Sequence, residues 1–184
     1  MTEVLYTKIP MKRVGVLIGE KGETKKRLED VTGVKISVDS ENGEVTIDME
    51  HAEDPSNALK VQDIVKAIGR GFSEERAFRL LGDEIFLKLF DVRDFAGKNP
   101  KRVRQVRARL IGTGGKTRRL VEELTGVDVS IYGNTVALIG DIVQLGVAEK
   151  AVEMLLEGSK HAAVYRYLEG SRAALKMAEL GFGD

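Results

Sequence analysis

The chain has 184 residues, of which 42% are hydrophobic and 32% charged, and its formal net charge is zero. This composition predicts a folded globular protein, and no run of 18 apolar residues indicates a transmembrane helix. Cysteine is absent, which excludes disulfides and cysteine-based metal sites and fits a reducing, cytoplasmic location.

The first half of the chain predicts strands and helices arranged around a glycine turn. A strand is expected near residues 3–9, and the glycine turn follows at residues 19–22, with the sequence Gly-Glu-Lys-Gly. Apolar residues at helical spacing then predict a helix, which Gly33 is placed to end in a left-handed conformation. Two alternating strands follow, joined by a turn at residues 41–43, and a helix is expected near residues 55–69.

The second half predicts the same order again. A linking helix is expected over residues 73–81, and a strand near residues 84–90 begins the second copy. A helix starting after Asn99-Pro100 leads into a second glycine turn, and a hairpin and a helix near residues 141–156 follow. The C-terminal segment is helical by composition, with an interruption expected at Gly170.

An internal repeat explains this parallel order. Residues 18–38 and 111–131 align without a gap at an offset of 93, and nine of the aligned positions are identical. The period is too long for a solenoid, so the sequence predicts two copies of one domain. We expect residues 1–82 to hold the first domain with its linking helix, and residues 83–184 the second domain with a C-terminal helix. The connection lacks a Gly/Ser-rich run, which predicts one rigid unit.

The two glycine turns have the chemistry of an anion-binding site. Glycines permit positive φ angles and allow a ligand to approach the backbone closely. The free N–H groups and the positive dipole end of the next helix face the turn, which suits the successive phosphates of a single strand. The predicted contact residues are Gly19, Glu20, Lys21, Gly22, Lys25 and Lys26 in the first copy, and Arg107, Arg109, Gly112, Thr113, Gly114, Gly115, Lys116, Arg118 and Arg119 in the second.

Charges are strongly segregated along this neutral chain. Residues 95–121 contain nine basic residues and no acid, whereas residues 36–59 contain seven acids and neither Lys nor Arg. The basic segment predicts a local positive surface suited to a polyanion, although a solvated helix face is the plainer alternative.

The sequence around the second turn also resembles an ATP-binding phosphate loop, but the match fails. That motif requires a glycine five residues before the Gly115-Lys116 pair, where this chain has Leu110. The two histidines show no metal-ligand spacing. We therefore predict no enzymatic activity, no catalytic residues, no cofactor and no metal.

These motifs resemble the type I K-homology (KH) domain. Both copies place a G-x-x-G turn in an I-G-x-x-G…T-G-V frame followed by a hairpin. The resemblance implies an α+β fold of two tandem domains, each with the order β-α-α-β-β-α, a three-stranded antiparallel sheet and three helices. It also implies a clamp for about four nucleotides of RNA backbone. The chain departs from the family pattern at Thr113-Gly114, where a basic residue is usual, and at Glu20, which faces phosphate unfavourably.

A narrower resemblance is carried by the segments "VKAIGRGFSEERAFRLL", "DEIFLKLFDVRDFAGK" and "LLEGSKHAAVYRYLE". They are similar to archaeal Dim-two-like proteins, which are relatives of the eukaryotic partner-of-Nob protein. This resemblance implies a single-stranded RNA-binding protein of small ribosomal subunit assembly that binds near the 3′ end of the small-subunit rRNA. It also implies two partners, a Nob-type endonuclease and the alpha subunit of translation initiation factor two. No membrane association is expected, because no apolar run is long enough to span a bilayer.

Two alternatives remain open at this stage. The KH pair could be a protein scaffold that uses the acidic stretch at residues 39–54 as its contact face, with RNA binding secondary. Tyr165 and Tyr167 could stack on bases, but their apolar neighbours favour helix packing.

Overall fold

The computed structural model describes residues 3–181. The chain divides into two compact units, Met1–Asp83 and Glu84–Asp184. Each unit has a three-stranded antiparallel sheet whose central strand is the last of the three in the sequence. The predicted α+β class and the tandem β-α-α-β-β-α order are confirmed.

The first unit begins with strand β1 (Val4–Lys8) and helices α1 (Met11–Ile18) and α2 (Glu23–Thr32), which flank the first glycine turn. Strands β2 (Lys35–Val38) and β3 (Glu44–Asp48) form the hairpin, and helix α3 (Ser56–Gly69) packs on the sheet. Ile36, Val45 and Ile47 alternate with exposed or half-buried residues, so one face of the sheet lies in the core.

The linking segment is helical but less regular than the single helix predicted for it. Helix α4 (Glu74–Ala77) covers one turn, capped by the Ser73 hydroxyl as predicted, and a 3-10 turn at Phe78–Leu81 continues it. Both pieces pack against α3. Ala77 and Leu80 are buried, and they join this segment to the core of the first unit.

The second unit repeats the pattern with two additions. Strand β4 (Phe86–Asp91) is followed by a short helix α5 (Arg93–Ala96), which the sequence analysis missed. Helices α6 (Pro100–Ile111) and α7 (Lys116–Thr125) flank the second glycine turn. Strands β5 (Asp128–Tyr132) and β6 (Thr135–Gly140), and helices α8 (Ile142–Leu156) and α9 (His161–Glu179), complete the unit.

The two C-terminal helices show how local and tertiary signals combine. Asp141 caps α8 in a capping box with Gln144, as its side-chain chemistry predicts. Helix α9, by contrast, runs without a break through Gly170, so the expected interruption is wrong. Val164 and Leu168 bury one face of α9 against α7 and α8, and this packing outweighs the roughly 1 kcal/mol that a helical glycine costs.

Candidate nucleic-acid interface

The two glycine turns have the same backbone conformation. The first glycine has a φ of 77° in Gly19 and 75° in Gly112, and the last has 78° in both Gly22 and Gly115. The third position also has a positive φ, 53° in Lys21 and 59° in Gly114. The repeat in sequence is therefore a repeat in three dimensions.

A buried threonine explains why the first position of each turn must be glycine. A Cβ atom on Gly19 would overlap the side chain of Thr24 and lie 2.8 Å from its backbone nitrogen. A Cβ atom on Gly112 would meet Thr117 in the same way, 2.7 Å from its nitrogen. Thr24 and Thr117 are only 5% and 1% exposed, so neither can move aside.

The helices that follow the turns begin without side-chain caps. Gly22 and Gly115 stand at the N-cap positions of α2 and α7, and glycine has no side chain with which to cap the first N–H groups. The positive end of each helix dipole is thus available to an anion. The two ends differ in one respect, because α2 carries Glu23 in its first turn whereas α7 has no acid there.

A glutamate on each of these helices ties the helix to the neighbouring strand. Glu29 accepts a hydrogen bond from the backbone N–H of Ile36, and Glu122 accepts one from Val129, both at 3.0 Å. No local pattern in the sequence indicates this role, although the glutamate recurs at the repeat offset of 93.

The same two glutamates hold two of the predicted contact residues. Lys25 Nζ lies 3.0 Å from a Glu29 carboxylate oxygen, and Arg118 Nη1 lies 3.3 Å from Glu122. Both cations are half-buried and partly neutralised within their own helix. We therefore expect Lys25 and Arg118 to contribute less to direct anion contact than the exposed cations.

The exposed cations at the turns are Lys21 and Lys26 in the first unit, and Lys116 and Arg119 in the second. Glu20, Thr113 and Gly114 are exposed as well. Helix α6 buries Val103 and Leu110 and leaves a further set of basic residues in solvent, namely Lys101, Arg102 and Arg104. The positive surface expected from the sequence therefore lies along α6 and the start of α7.

Arg109 has a structural role that its position in the basic segment does not reveal. Its guanidinium donates to the carbonyl oxygen of Leu155 at 2.7 Å and to that of Ser159, across the junction of α8 and α9. Arg13 does the same in the first unit, donating to Ile68 and Phe72 at the end of α3, both at 2.7 Å. Each arginine therefore adds side-chain hydrogen bonds to carbonyl groups at and just beyond the end of a helix. We therefore omit Arg109 from the proposed contact surface.

Arg107 lies half-buried on α6, and its Nε is buried without a hydrogen-bond partner within residues 3–181.

Tyr165 lies beside the second turn, with its hydroxyl 2.9 Å from Thr117 Oγ1. No local pattern indicates this contact, because the two residues are 48 positions apart. Tyr167 packs on the core of the second unit, as predicted.

Two other properties of residues 3–181 bear on the site. They contain no cluster of three or more His, Cys, Asp or Glu side chains that could hold a metal ion. None of the helices in this range is both long and apolar enough to span a membrane.

Leu110 is buried at the end of α6, so a regular helix occupies the place where a phosphate loop would open.

Comparison with known proteins agrees with this geometry. Residues 4–62 match the family described as "KH domain", and residues 86–173 match "Eukaryotic type KH-domain (KH-domain type I)". A KH domain-containing protein of Methanocaldococcus jannaschii is 47% identical over 172 residues, which are 93% of this chain and 75% of that protein. The pre-rRNA-processing protein pno1 of Aspergillus fumigatus is 31% identical over 119 residues, 64% of this chain and 47% of that protein.

A solved structure shows the same likeness in three dimensions. It is aDim2p in the crystal structure of an a/eIF2alpha–aDim2p–rRNA complex from Pyrococcus horikoshii. The TM-score is 0.88 at 47% identity, covering 95% of this chain and 96% of that one. Both domains are thus type I KH domains. The chain belongs to the family of KH-domain proteins that includes archaeal Dim2 and the eukaryotic PNO1 proteins, although it spans only about half the length of the Aspergillus relative.

Proposed function

We propose that this protein binds single-stranded RNA through its two glycine turns and acts in the assembly of the small ribosomal subunit. The family supports this proposal, since relatives are named as pre-rRNA-processing proteins and a structural neighbour was crystallised with rRNA. KH domains hold about four nucleotides by the backbone at such a turn.

One observation carries the proposal further than family membership does. The second turn combines an uncapped helix N-terminus with the exposed cations Lys116 and Arg119, and no acid lies in the first turn of α7. Phosphate can therefore meet backbone N–H groups and side-chain charge at one place without competition from a carboxylate.

Salt dependence of RNA binding tests the proposal directly. The logarithm of the affinity should fall linearly with the logarithm of salt concentration, by about 0.7 for each phosphate contact to a single strand. Arg119→Ala should reduce this slope by about 0.7. Arg172→Ala is a matched control, because it removes the same charge from an exposed position on α9. A wild-type protein that binds no RNA, or binds it with a slope near zero, would contradict the proposal.

The proposed target is the region near the 3′ end of the small-subunit rRNA. Its basis is the family resemblance, and the aDim2p complex supports rRNA as the class of target. An oligonucleotide with the 3′-end sequence should bind more tightly than a scrambled oligonucleotide of equal length and composition. Equal affinity for the two would leave RNA binding intact but reject this target.

The proposed protein partners rest on the family as well. The alpha subunit of translation initiation factor two is proposed because the neighbour's complex contains a/eIF2alpha. A Nob-type endonuclease is proposed from the resemblance alone. Each purified partner should be retained on the immobilised protein, and failure of either one rejects that partner without affecting RNA binding. We expect the pure protein itself to hydrolyse neither ATP nor RNA.

The scaffold alternative gains no support from the acidic stretch. The carboxylates of Asp39, Asp48 and Asp54 each accept a hydrogen bond from the backbone N–H two residues ahead, at 2.8–2.9 Å. Hydrogen bonds from Ser56 also hold the pKa of Asp54 below its usual range. Local turns therefore account for three of the seven acids in the stretch without a partner.

A further inference from the structure

A cleft of about 300 Å³ opens beside the second glycine turn. The end of α6, the turn itself and the start of α7 form one side of it, and the start of α9 forms the other. Its lining includes Gly112, Thr113, Lys116, Thr117, His161 and Tyr165, and contains no acidic residue. The volume is at the lower end of the range for small-ligand sites.

Tyr165 forms a fixed aromatic wall in this cleft. Its hydroxyl is held 2.9 Å from the buried Thr117 hydroxyl, and the His161 ring lies 6.0 Å away at an angle of 52°. His161 is itself positioned by Nε2, 3.0 Å from the carbonyl oxygen of Arg109. The tyrosine ring is thus held in place before any ligand binds, which lowers the entropy cost of stacking.

The flexible side chain of Lys116 lies over the Tyr165 ring. Lys116 Nζ lies 5.8 Å from the ring centroid, close to the limit of about 6 Å for a cation–π contact. Lys116 is exposed and therefore free to move from the ring to a phosphate on the turn. Tyr165 also lies outside the hydrophobic core that Tyr167 joins, so core packing does not account for it.

The equivalent place in the first unit has the opposite character. The buried Thr24 hydroxyl donates to Glu74 at 2.8 Å, where Thr117 has Tyr165. The adjoining cleft is lined by four acids, Glu20, Glu23, Asp30 and Glu74, against the two cations Lys26 and Arg27. An aromatic, acid-free cleft is therefore a property of the second unit and not a consequence of the shared fold.

We propose that this cleft binds one nucleobase of the RNA, stacked on Tyr165, while the phosphate of the same nucleotide rests on the second turn. The inference rests on the proposed RNA binding and adds one base-binding position to the backbone clamp. Every base has a face that can stack on an aromatic ring, so the site tolerates different sequences.

Affinity measurements on the full chain test the role of the ring, with a single-stranded RNA of about ten nucleotides as the probe. Tyr165→Leu should weaken binding by about tenfold, the lower part of the effect known for removing a stacking aromatic. Tyr165→Phe keeps the ring and should bind within about twofold of wild type. Tyr167→Leu is the control, since it disturbs α9 at a ring that packs on the core.

A fluorescence measurement tests contact with the base. The chain has no tryptophan, so Tyr165→Trp introduces a single reporter in the cleft. Stacked bases should quench its emission when RNA is added, and the emission of Tyr167→Trp should change little.

The outcomes separate this inference from the proposed function. If wild type binds RNA but Tyr165→Leu binds equally well and Tyr165→Trp is not quenched, the cleft is not a base site and the proposed function stands. Equal losses in Tyr165→Leu, Tyr165→Phe and Tyr167→Leu would show a structural role and also overturn the inference. If wild type binds no RNA, the proposed function fails first.

Discussion

Lys21 and Gly114 occupy the same position in the two glycine turns, and both have a positive φ. Lysine is strained in this region, whereas glycine, asparagine and aspartate tolerate it. A Cβ atom at Gly114 would meet no heavy atom within 4 Å, so a side chain there extends into open space. The position can therefore be substituted without a clash, which makes it a probe of ligand contact.

We expect Gly114→Asp to weaken RNA binding by at least about tenfold, because it places a negative charge where phosphate approaches the backbone. Gly114→Asn is the control of equal size without the charge, and it should lose much less. Lys21→Asp, compared with Lys21→Asn, should cost less than Gly114→Asp, because the first turn already contains Glu20. If Gly114→Asp binds like wild type while Lys21→Asp abolishes binding, the first unit carries the affinity.

The first position of a turn needs glycine for two reasons, a positive φ and the close approach of a buried threonine. Comparing Gly112 with Gly115 separates these two causes. Both have a positive φ, but only a Cβ at Gly112 would overlap Thr117. Gly115→Ala should lower the free energy of unfolding by about 1 kcal/mol, the cost of a left-handed alanine. Gly112→Ala should cost about 2 kcal/mol more, because the core must also shift. Chemical denaturation measures both free energies of unfolding. Equal losses would show that Thr117 shifts to accommodate the added Cβ atom.

At the scale of elements, each helix that follows a glycine turn is joined to the next strand by one carboxylate. Glu122 pairs with Arg118 on its own helix and accepts the N–H of Val129 from β5. A strand N–H that loses its acceptor in a half-buried place costs about 1–3 kcal/mol. The glutamate therefore sets the position of α7 relative to the sheet.

Glu122→Ala should accordingly lower the free energy of unfolding by about 1–3 kcal/mol. Glu122→Gln should lose less, since its amide oxygen can still accept the hydrogen bond. Glu123→Ala, at the exposed neighbouring position, should change stability by no more than about 0.5 kcal/mol. Thermal or denaturant unfolding provides the comparison. A loss in Glu123→Ala as large as that in Glu122→Ala would contradict this assignment.

At the scale of the whole molecule, the zero net charge conceals two units of opposite sign. Residues 1–83 contain 13 basic and 16 acidic residues, and residues 84–184 contain 16 basic and 13 acidic ones. The second unit therefore has a formal charge of +3 and the first −3. RNA should be attracted to the second unit first, and the effect should weaken as salt shortens the Debye length.

The packing of the linking segment predicts that residues 70–83 resist proteolysis in the intact chain. Phe72 and Leu80 are buried, and Lys60 Nζ binds the carbonyl oxygen of Leu81 at 3.2 Å and Asp83 at 2.6 Å. Because this backbone is held by side chains from the first unit, trypsin should not cut within residues 70–83 ahead of other sites. Gel analysis with mass spectrometry identifies the cuts. Rapid cleavage into two stable halves would show that the segment is a flexible linker.

Apart from the short helix α5, the order of strands and helices, the two-copy organisation and the predicted helix caps follow from the sequence by itself. These features depend on residues close together in the chain, such as the glycines of each turn or Asp141 and Gln144 in the capping box. The repeat at an offset of 93 strengthens these local predictions, because each signal occurs twice in the chain.

Only the tertiary structure decided which charges are available to a ligand. Arg109 looks like its basic neighbours in the sequence, but it binds carbonyl groups 46 and 50 residues further along the chain. Tyr165 reaches the second turn because α9 packs across α7, and α9 stays intact at Gly170 for the same reason. Contacts between distant segments depend on how whole elements pack, and no local pattern encodes them. The sequence therefore located the turns, and packing determined which side chains surround them.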